Sequence, residues 1–259
     1  MEGLLMDEKT LRKLAGKHHA PLGILEKDYA LTNLLSTISK FQKLSQMTFK
    51  GGTALKKIHF EDFRFSEDLD FTCFDDISDE FMDFLNNEMK NLDVSFTVIS
   101  DLEKRSESTK FKVKYDMFNG APNSIKVDLS LRGDVQLNHP DKPVLHFYDT
   151  FQNEFRIPTM ALEEIMAEKI RALTYSKHPR HLHDIWHLHG QGVKINPDMV
   201  RAKIKSAYNE DFDISLLRNR LSEKESDWNN DLRPLLPTEP PSFDIVSKSV
   251  LEVISGAMK

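Results

Sequence analysis

Apolar residues change their spacing twice along the chain, and the changes divide it into three sections. Up to about Ser45 the period is helical: Leu31, Leu34, Leu35, Ile38 and Phe41 recur at steps of three and four, which gathers them on one buried face. Pro21-Leu22-Gly23 breaks this helix from a shorter one before it. The middle section alternates. Met47-Thr48-Phe49 is a short β-type run halted by Gly51-Gly52, residues 53–60 read as helix, and 69–74 read as strand. A helical pattern over 79–92 sets Phe81, Phe84, Leu85 and Met89 on one side. Two-residue alternation then runs through Val94-Phe96-Val98, Phe111-Val113-Tyr115 and Ile125-Val127-Leu129-Leu131. Helical spacing returns over 160–175, 180–190, 197–208 and 214–225, and a proline-rich break at 234–241 precedes a closing helix at about 243–254.

The expected fold is therefore mixed α/β of the α+β kind. N-terminal helices (1–45) pack on a core (46–158) built on a small mixed β-sheet with flanking helices, and a helical C-terminal half (159–259) follows.

Composition narrows the class. With 39% hydrophobic and 29% charged residues the chain reads as globular, and no apolar run is long enough to span a bilayer. Met1 is followed by Glu2 and Asp7 rather than by a basic and then an apolar stretch, so no secretory leader is expected. The single Cys73 excludes an internal disulfide. These features lead us to expect a cytoplasmic protein without a membrane partner. A net charge of −6 argues against a non-specific nucleic-acid coat protein but leaves room for local basic patches. Candidates are Lys40, Lys43, Lys50, Lys56 and Lys57, then Lys110, Lys112 and Lys114, then Arg201, Lys203 and Lys205; each cluster also reads as an ordinary solvated face.

The chemistry concentrates between Lys50 and Phe71. Gly51 and Gly52, at a strand-to-helix junction, allow close backbone approach, and the helix start offers free N–H groups to phosphate. On a strand, Asp68 and Asp70 project to one face while Leu69 and Phe71 project to the other. Two carboxylates so placed suit a hard divalent cation such as Mg²⁺, or Mn²⁺. Asp128, in Lys126-Val127-Asp128-Leu129-Ser130, supplies a third acid with its apolar neighbours again facing away. Three carboxylates on adjacent strands can hold two metals about 3.5–4 Å apart, one activating the nucleophile and the other steadying the leaving group. An isolated Asp-x-Asp is mostly a turn and a solvated strand position; the glycines and Asp128 lift this one above that.

Lys50-Gly51-Gly52-Thr53-Ala54-Leu55, followed by Phe65-Ser66-Glu67-Asp68-Leu69-Asp70-Phe71, resembles the signature of the AbiEii/AbiGii toxin family of nucleotidyltransferases, within the DNA polymerase β-like superfamily. Leu25-Glu26-Lys27-Asp28-Tyr29, the run from Met160 to Leu173 and Arg180-His181-Leu182-His183-Asp184-Ile185 resemble further family segments, so the likeness covers about 24–190. His181 stands where the family usually has its first Asp. The resemblance implies transfer of a nucleoside monophosphate from an NTP to an acceptor, with RNA (the tRNA 3′ end) as the leading acceptor and an antitoxin encoded nearby as partner. It implies that Asp68, Asp70 and Asp128 are catalytic and bind metal, and that Lys169 is the catalytic cation. It places the nucleotide on Lys50, Gly51, Gly52, Thr53 and Ser66, with Asp184 as a further contact. Lys110, Lys112 and Lys114 alternate with Phe111, Val113 and Tyr115 and so share one face: if it is the face bearing Asp128, Lys112 and Lys114 contact the nucleotide phosphates, and if not it is an ordinary polar strand face. Rival readings are a nucleotidyltransferase acting on a protein or small molecule, a nucleotide-binding phosphotransferase, and a non-enzymatic nucleotide binder.

The helical half offers its own signals. Leu162, Ile165, Met166, Lys169 and Leu173 share one helical stripe, which sets a lysine within an apolar face. Such a lysine reaches either phosphate or a buried carboxylate, because an unpaired buried ammonium is costly. Glu163, Glu164 and Glu168 fall off the stripe and read as surface acids, one of which could orient Lys169. Arg180 and Asp184 read either as an i,i+4 ion pair or, in the case of Asp184, as an anchor for a lysine or the nucleotide. His178, His181, His183, His187 and His189 lack the glutamate and paired cysteines of zinc motifs and read as packing and surface residues. Cys73, on the apolar side of its strand, reads as a core residue rather than a nucleophile.

Overall fold

In the computed structural model, residues 6–259 are described, except 93, 119, 121 and 122. Residues 1–5, on which the expectation of no leader largely rests, lie outside the described residues. The chain forms two compact units: Met1–Gly133 with His139–Thr159, and Asp134–Asn138 with Met160–Lys259.

The first unit opens with α1 (Glu8–Lys17) and α2 (Leu22–Ile38). Asp7 caps α1, its carboxylate accepting the Thr10 N–H at 2.7 Å. Next come β1 (Met47–Lys50), a single turn α3 (Gly51–Ala54) that widens into a π-helix over Leu55–His59, β2 (Asp68–Cys73) and α4 (Ser78–Glu88). Three strands follow, β3 (Ser95–Arg105), β4 (Ser108–Asp116) and β5 (Asn123–Ser130), then the short antiparallel pair β6 (Asp141–Pro143) and β7 (Arg156–Pro158). The main sheet runs β1-β2-β5-β4-β3, with β2 and β5 parallel and the other neighbours antiparallel.

Alternation decides which face of the sheet is buried. Leu69, Phe71, Phe111, Val113, Val127 and Leu129 all point to a closed apolar face. Phe81 of α4 lies 6.3 Å, centroid to centroid, from both Phe71 and Phe111, with Phe41 behind it at 5.2 Å. The polar residues between these positions are left on the opposite face, which carries the site.

The second unit is helical: α5 (Leu162–Tyr175), α6 (Arg180–Gly190), α7 (Pro197–Tyr208), α8 (Ile214–Ser222), α9 (Glu225–Leu232) and α10 (Phe243–Ala257). Trp228 of α9 donates its indole N–H to the Pro241 carbonyl at 2.8 Å, fixing the proline-rich break. Among the described residues, no helix is long and apolar enough to cross a membrane.

Several expectations change. The helix expected over 53–60 is an α-turn and then a π-helix, and Lys57, read as part of a basic patch, points inward. Its ammonium lies 2.6 Å from Asp28 Oδ2 and 2.9 Å from the Thr32 hydroxyl, and Tyr148 donates to the same Asp28 oxygen at 2.8 Å. Lys50, Lys56 and Lys203 are likewise buried, which leaves Lys40 and Lys43 of the first basic cluster and Arg201 and Lys205 of the third at the surface. Glu164, read as a surface acid, is fully buried. It accepts the Gln136 and Leu137 N–H groups at 2.9 and 3.0 Å and pairs with Lys203 at 2.6 Å, pinning the Asp134–Asn138 segment to the helices of its own unit. The helix expected over 214–225 ends at Ser222, and α9 follows it.

Candidate active site

Directly opposed residues on neighbouring strands share a face, so the sheet register writes the site as rows. One row runs Lys50–Asp70–Asp128–Lys110–Glu103 across β1, β2, β5, β4 and β3, with the two acids Asp70 and Asp128 side by side and a lysine on either side of the pair. The next runs Asp68–Lys126–Lys112 across β2, β5 and β4, and beyond it Ser124 faces Lys114. Asp68, Asp70 and Asp128 are therefore gathered on one face by two parallel strands. All three are half-buried, which leaves their oxygens reachable while thinning the water around them.

Asp128 is turned toward β4, where its Oδ2 meets Lys110 Nζ at 2.9 Å. Among the described residues, no group of three or more His, Cys, Asp or Glu side chains stands close enough to hold a metal ion as placed. The donor set itself suits a divalent cation: all hard oxygens, two on one strand and one in register beside them.

The glycine turn is built against these acids. Gly51 has φ +81°, and a Cβ added there would stand 2.3 Å from Asp70 Oδ2, so the Asp70 carboxylate lies directly on the turn. A Cβ on Gly52 would stand 2.9 Å from an Arg64 guanidinium nitrogen and 3.0 Å from the Ser66 hydroxyl. The Thr53 hydroxyl is buried and donates to the Asp68 carbonyl, so its side chain ties the turn to the start of β2. Arg64, itself buried, donates to the Phe65 carbonyl at 3.0 Å, and Lys27 of α2 pairs with Glu67 at 3.0 Å. These contacts fix the loop that delivers Asp68 and Asp70. Of the residues expected at the nucleotide, Lys50, Gly51, Gly52, Thr53 and Ser66 thus lie together beside the carboxylates. Lys112 shares a row with Asp68, and Lys114 lies one row further on.

Lys169 and Asp184 belong to the second unit, on α5 and α6, and pair with each other at 2.7 Å with side chains 7% and 0% exposed. Arg180 also reaches beyond its own helix, its Nε facing Asp231 of α9 at 3.7 Å. His183 and His187 lie with nearly parallel rings, and burial holds the His187 imidazole below its usual pKa, keeping it neutral. Cys73 is buried on the apolar side of β2, where burial pushes its thiol up to about 12, far from a nucleophile's range.

Two residues escaped the sequence reading. Lys126 was legible, because it precedes Asp128 by two and must share its face. Arg64 was not, because nothing local in the sequence announces that a loop arginine will pack on a glycine turn.

A family model described as "Nucleotidyl transferase AbiEii toxin, Type IV TA system" matches residues 33–249. Among solved structures, the chain is similar to MenT4, a nucleotidyltransferase toxin from Mycobacterium tuberculosis H37Rv. The TM-score is 0.71 at 20% identity, covering 96% of this chain and 89% of that one. It is also similar to a protein described as a nucleotidyltransferase from H. pylori, with TM-score 0.53 at 17% identity over 91% of this chain and 95% of that one. At these identities the structural likeness speaks to the fold. No curated protein sequence matches the chain.

Proposed function

The chain belongs to the AbiEii family of nucleotidyl transferase toxins of type IV toxin–antitoxin systems, and we propose that it moves a nucleoside monophosphate from an NTP to an RNA acceptor at the carboxylate rows, releasing pyrophosphate. The observation that carries this reading is the register of Asp70 with Asp128 on parallel strands, with Asp68 on the same face and Gly51 seated against Asp70.

Asp68 and Asp70 would hold a divalent cation, Mg²⁺ or Mn²⁺, which when bound offsets triphosphate charge and makes the acceptor hydroxyl more acidic. The chain's own residues do the rest. The missing side chains of Gly51 and Gly52 let the Asp70 carboxylate, the Arg64 guanidinium and the Ser66 hydroxyl close directly onto the turn, which sets these groups around the place where the phosphates would be held. Lys50 and Ser66 line that place. Asp128, on exchanging Lys110 for the acceptor, takes the proton of the attacking hydroxyl. The new bond forms between that oxygen and the α-phosphorus, the α–β bridging bond breaks, and the electron pair leaves with pyrophosphate. Asp128 then gives that proton to water, and its carboxylate pairs again with Lys110. A tRNA 3′ end, as acceptor, supplies a free hydroxyl on a flexible strand. Family membership implies an antitoxin as the biological partner.

The test incubates the protein with each α-labelled NTP, Mg²⁺ and total RNA, alongside Asp70→Ala. Label in RNA with wild type and none with the variant supports the reading. Label on protein or small molecules alone would transfer the reaction to another acceptor.

A further inference from the structure

Two sets of groups suited to phosphate flank the carboxylates, on opposite sides of β2. The glycine turn follows β1, on one side; Lys126, Lys112 and Lys114 lie on β5 and β4, on the other. Lys112 and Lys126 are direct cross-strand partners on one face, and both are exposed, as is Lys114. Among the described residues none of the three has an ion-pair partner. Like charges set directly opposite each other on a sheet repel. The neighbouring row shows how the fold relieves such a charge when relief is wanted, since Lys110, on the same strand as Lys112, is paired with Asp128. Lys126 faces Asp68 across β2, but on β5 Lys112 faces only Lys126 and Lys114 only Ser124, so positive charge is left in excess beside a site that handles phosphates.

Geometry of the reaction assigns the flank. In phosphoryl transfer the attacking and leaving oxygens lie roughly in line on opposite sides of the phosphorus. With the triphosphate at the glycine turn, the attacking strand comes in over β5 and β4. We propose that Lys112, Lys114 and Lys126 bind the phosphodiester backbone of a polynucleotide acceptor, and not the phosphates of the NTP as the sequence suggested for Lys112 and Lys114. This rests on the nucleotidyl-transfer reading of the carboxylate rows. The flank makes the acceptor a polyanion, which a protein side chain or a small hydroxyl compound is not.

The test is binding as well as turnover, in the full chain. A fluorescein-labelled RNA hairpin with a single-stranded 3′ tail is titrated with wild type, Lys112→Gln/Lys126→Gln and Asp70→Asn at several salt concentrations. Each contact to a single strand contributes about 0.7 to the slope of log affinity against log salt, or about fivefold at 0.1 M salt. The double variant is therefore expected to bind roughly 25-fold more weakly, with a slope shallower by about 1.4. Affinity for a fluorescent NTP analogue should stay within about twofold. Asp70→Asn should bind the RNA at least as well as wild type, so loss of chemistry and loss of docking are read apart. Weaker NTP binding with unchanged RNA binding would place the lysines on the triphosphate and overturn the proposal. Equal RNA affinity and equal salt slope for wild type and the double variant would overturn it too, whatever the transfer assay shows. All three lysines are exposed, and a melting temperature unchanged or slightly raised in the double variant confirms that the fold is intact.

Discussion

A methyl group on Gly51 strikes both the backbone and the Asp70 carboxylate. Gly51 sits at φ +81°, where an L side chain is strained by about 1–2 kcal/mol. The new Cβ would lie 2.3 Å from Asp70 Oδ2, 3.1 Å from its Cγ and 3.2 Å from its Cβ. Asp70 then has to swing off its rotamer, at about 0.5–1.5 kcal/mol, or the turn has to move. Together these terms make Gly51→Ala about 2–3 kcal/mol less stable, which in a chain of this size lowers the melting temperature by roughly 5–10 °C. The effect on catalysis should be larger. Displacing a reacting group by about an ångström lowers rates by about a hundredfold, so single-turnover transfer should fall at least that far at saturating NTP. Gly133→Ala is the control: its φ is +61°, but the nearest atom to an added Cβ is the Cys73 carbonyl at 3.9 Å. That variant should lose the backbone increment in stability and keep its turnover. Wild-type turnover in Gly51→Ala would refute the claim that the turn positions Asp70 for chemistry.

Other variants probe the buried charges. Lys203→Met leaves Glu164 and its neighbours without their cation and should cost about 3–5 kcal/mol in urea unfolding, with much of the loss recovered in Lys203→Met/Glu164→Leu; additive losses would contradict the pairing. Lys169→Met should lower stability by a similar amount, because it removes the cation paired with fully buried Asp184; full stability with lost transfer would instead make Lys169 a catalytic cation. Burial raises the Cys73 thiol from 9.0 to about 12, so the folded state keeps a proton that the unfolded chain releases. The associated stability is intact below pH 9 and is lost as pH climbs from 9 toward 12, by about 1.4 kcal/mol per pH unit. Cys73→Val should lack that part of the alkaline slope, and identical slopes in the two proteins would contradict it.

The sequence was most legible where periodicity does the work. Alternation marked β4 and β5, and with them the face bearing Asp128, because a strand has only two sides. The 3.6-residue period marked α2, α4 and the helices of the second unit for the same kind of reason. It failed where a local pattern depends on a distant partner. Glu164 and Glu168 fall off the apolar stripe of α5, yet Glu164 is buried because Lys203 and the 136–137 amides meet it from residues far away in sequence. Lys57 read as surface because Asp28 lies 29 residues away. The π-helix leaves no mark in a nine-residue apolar pattern, and Pro143 and Pro158 hid the β6–β7 pair, since proline usually argues against a strand. At the site, the acids and glycines were legible as residue types in order. Their register with Lys50, Lys110 and Lys126 was not, because strand order is a property of the folded sheet.

The central claim is that the Asp68, Asp70 and Asp128 face transfers a nucleoside monophosphate. Its most direct test follows two labels through one reaction, with RNA as acceptor and the NTP labelled on the α-phosphate in one tube and the γ-phosphate in another. Wild type should move the α-label into RNA and release the γ-label as pyrophosphate in equal amounts, and Asp70→Asn should do neither while still binding RNA. Appearance of the γ-label in RNA with release of nucleoside diphosphate, or undiminished transfer by Asp70→Asn, would contradict the account.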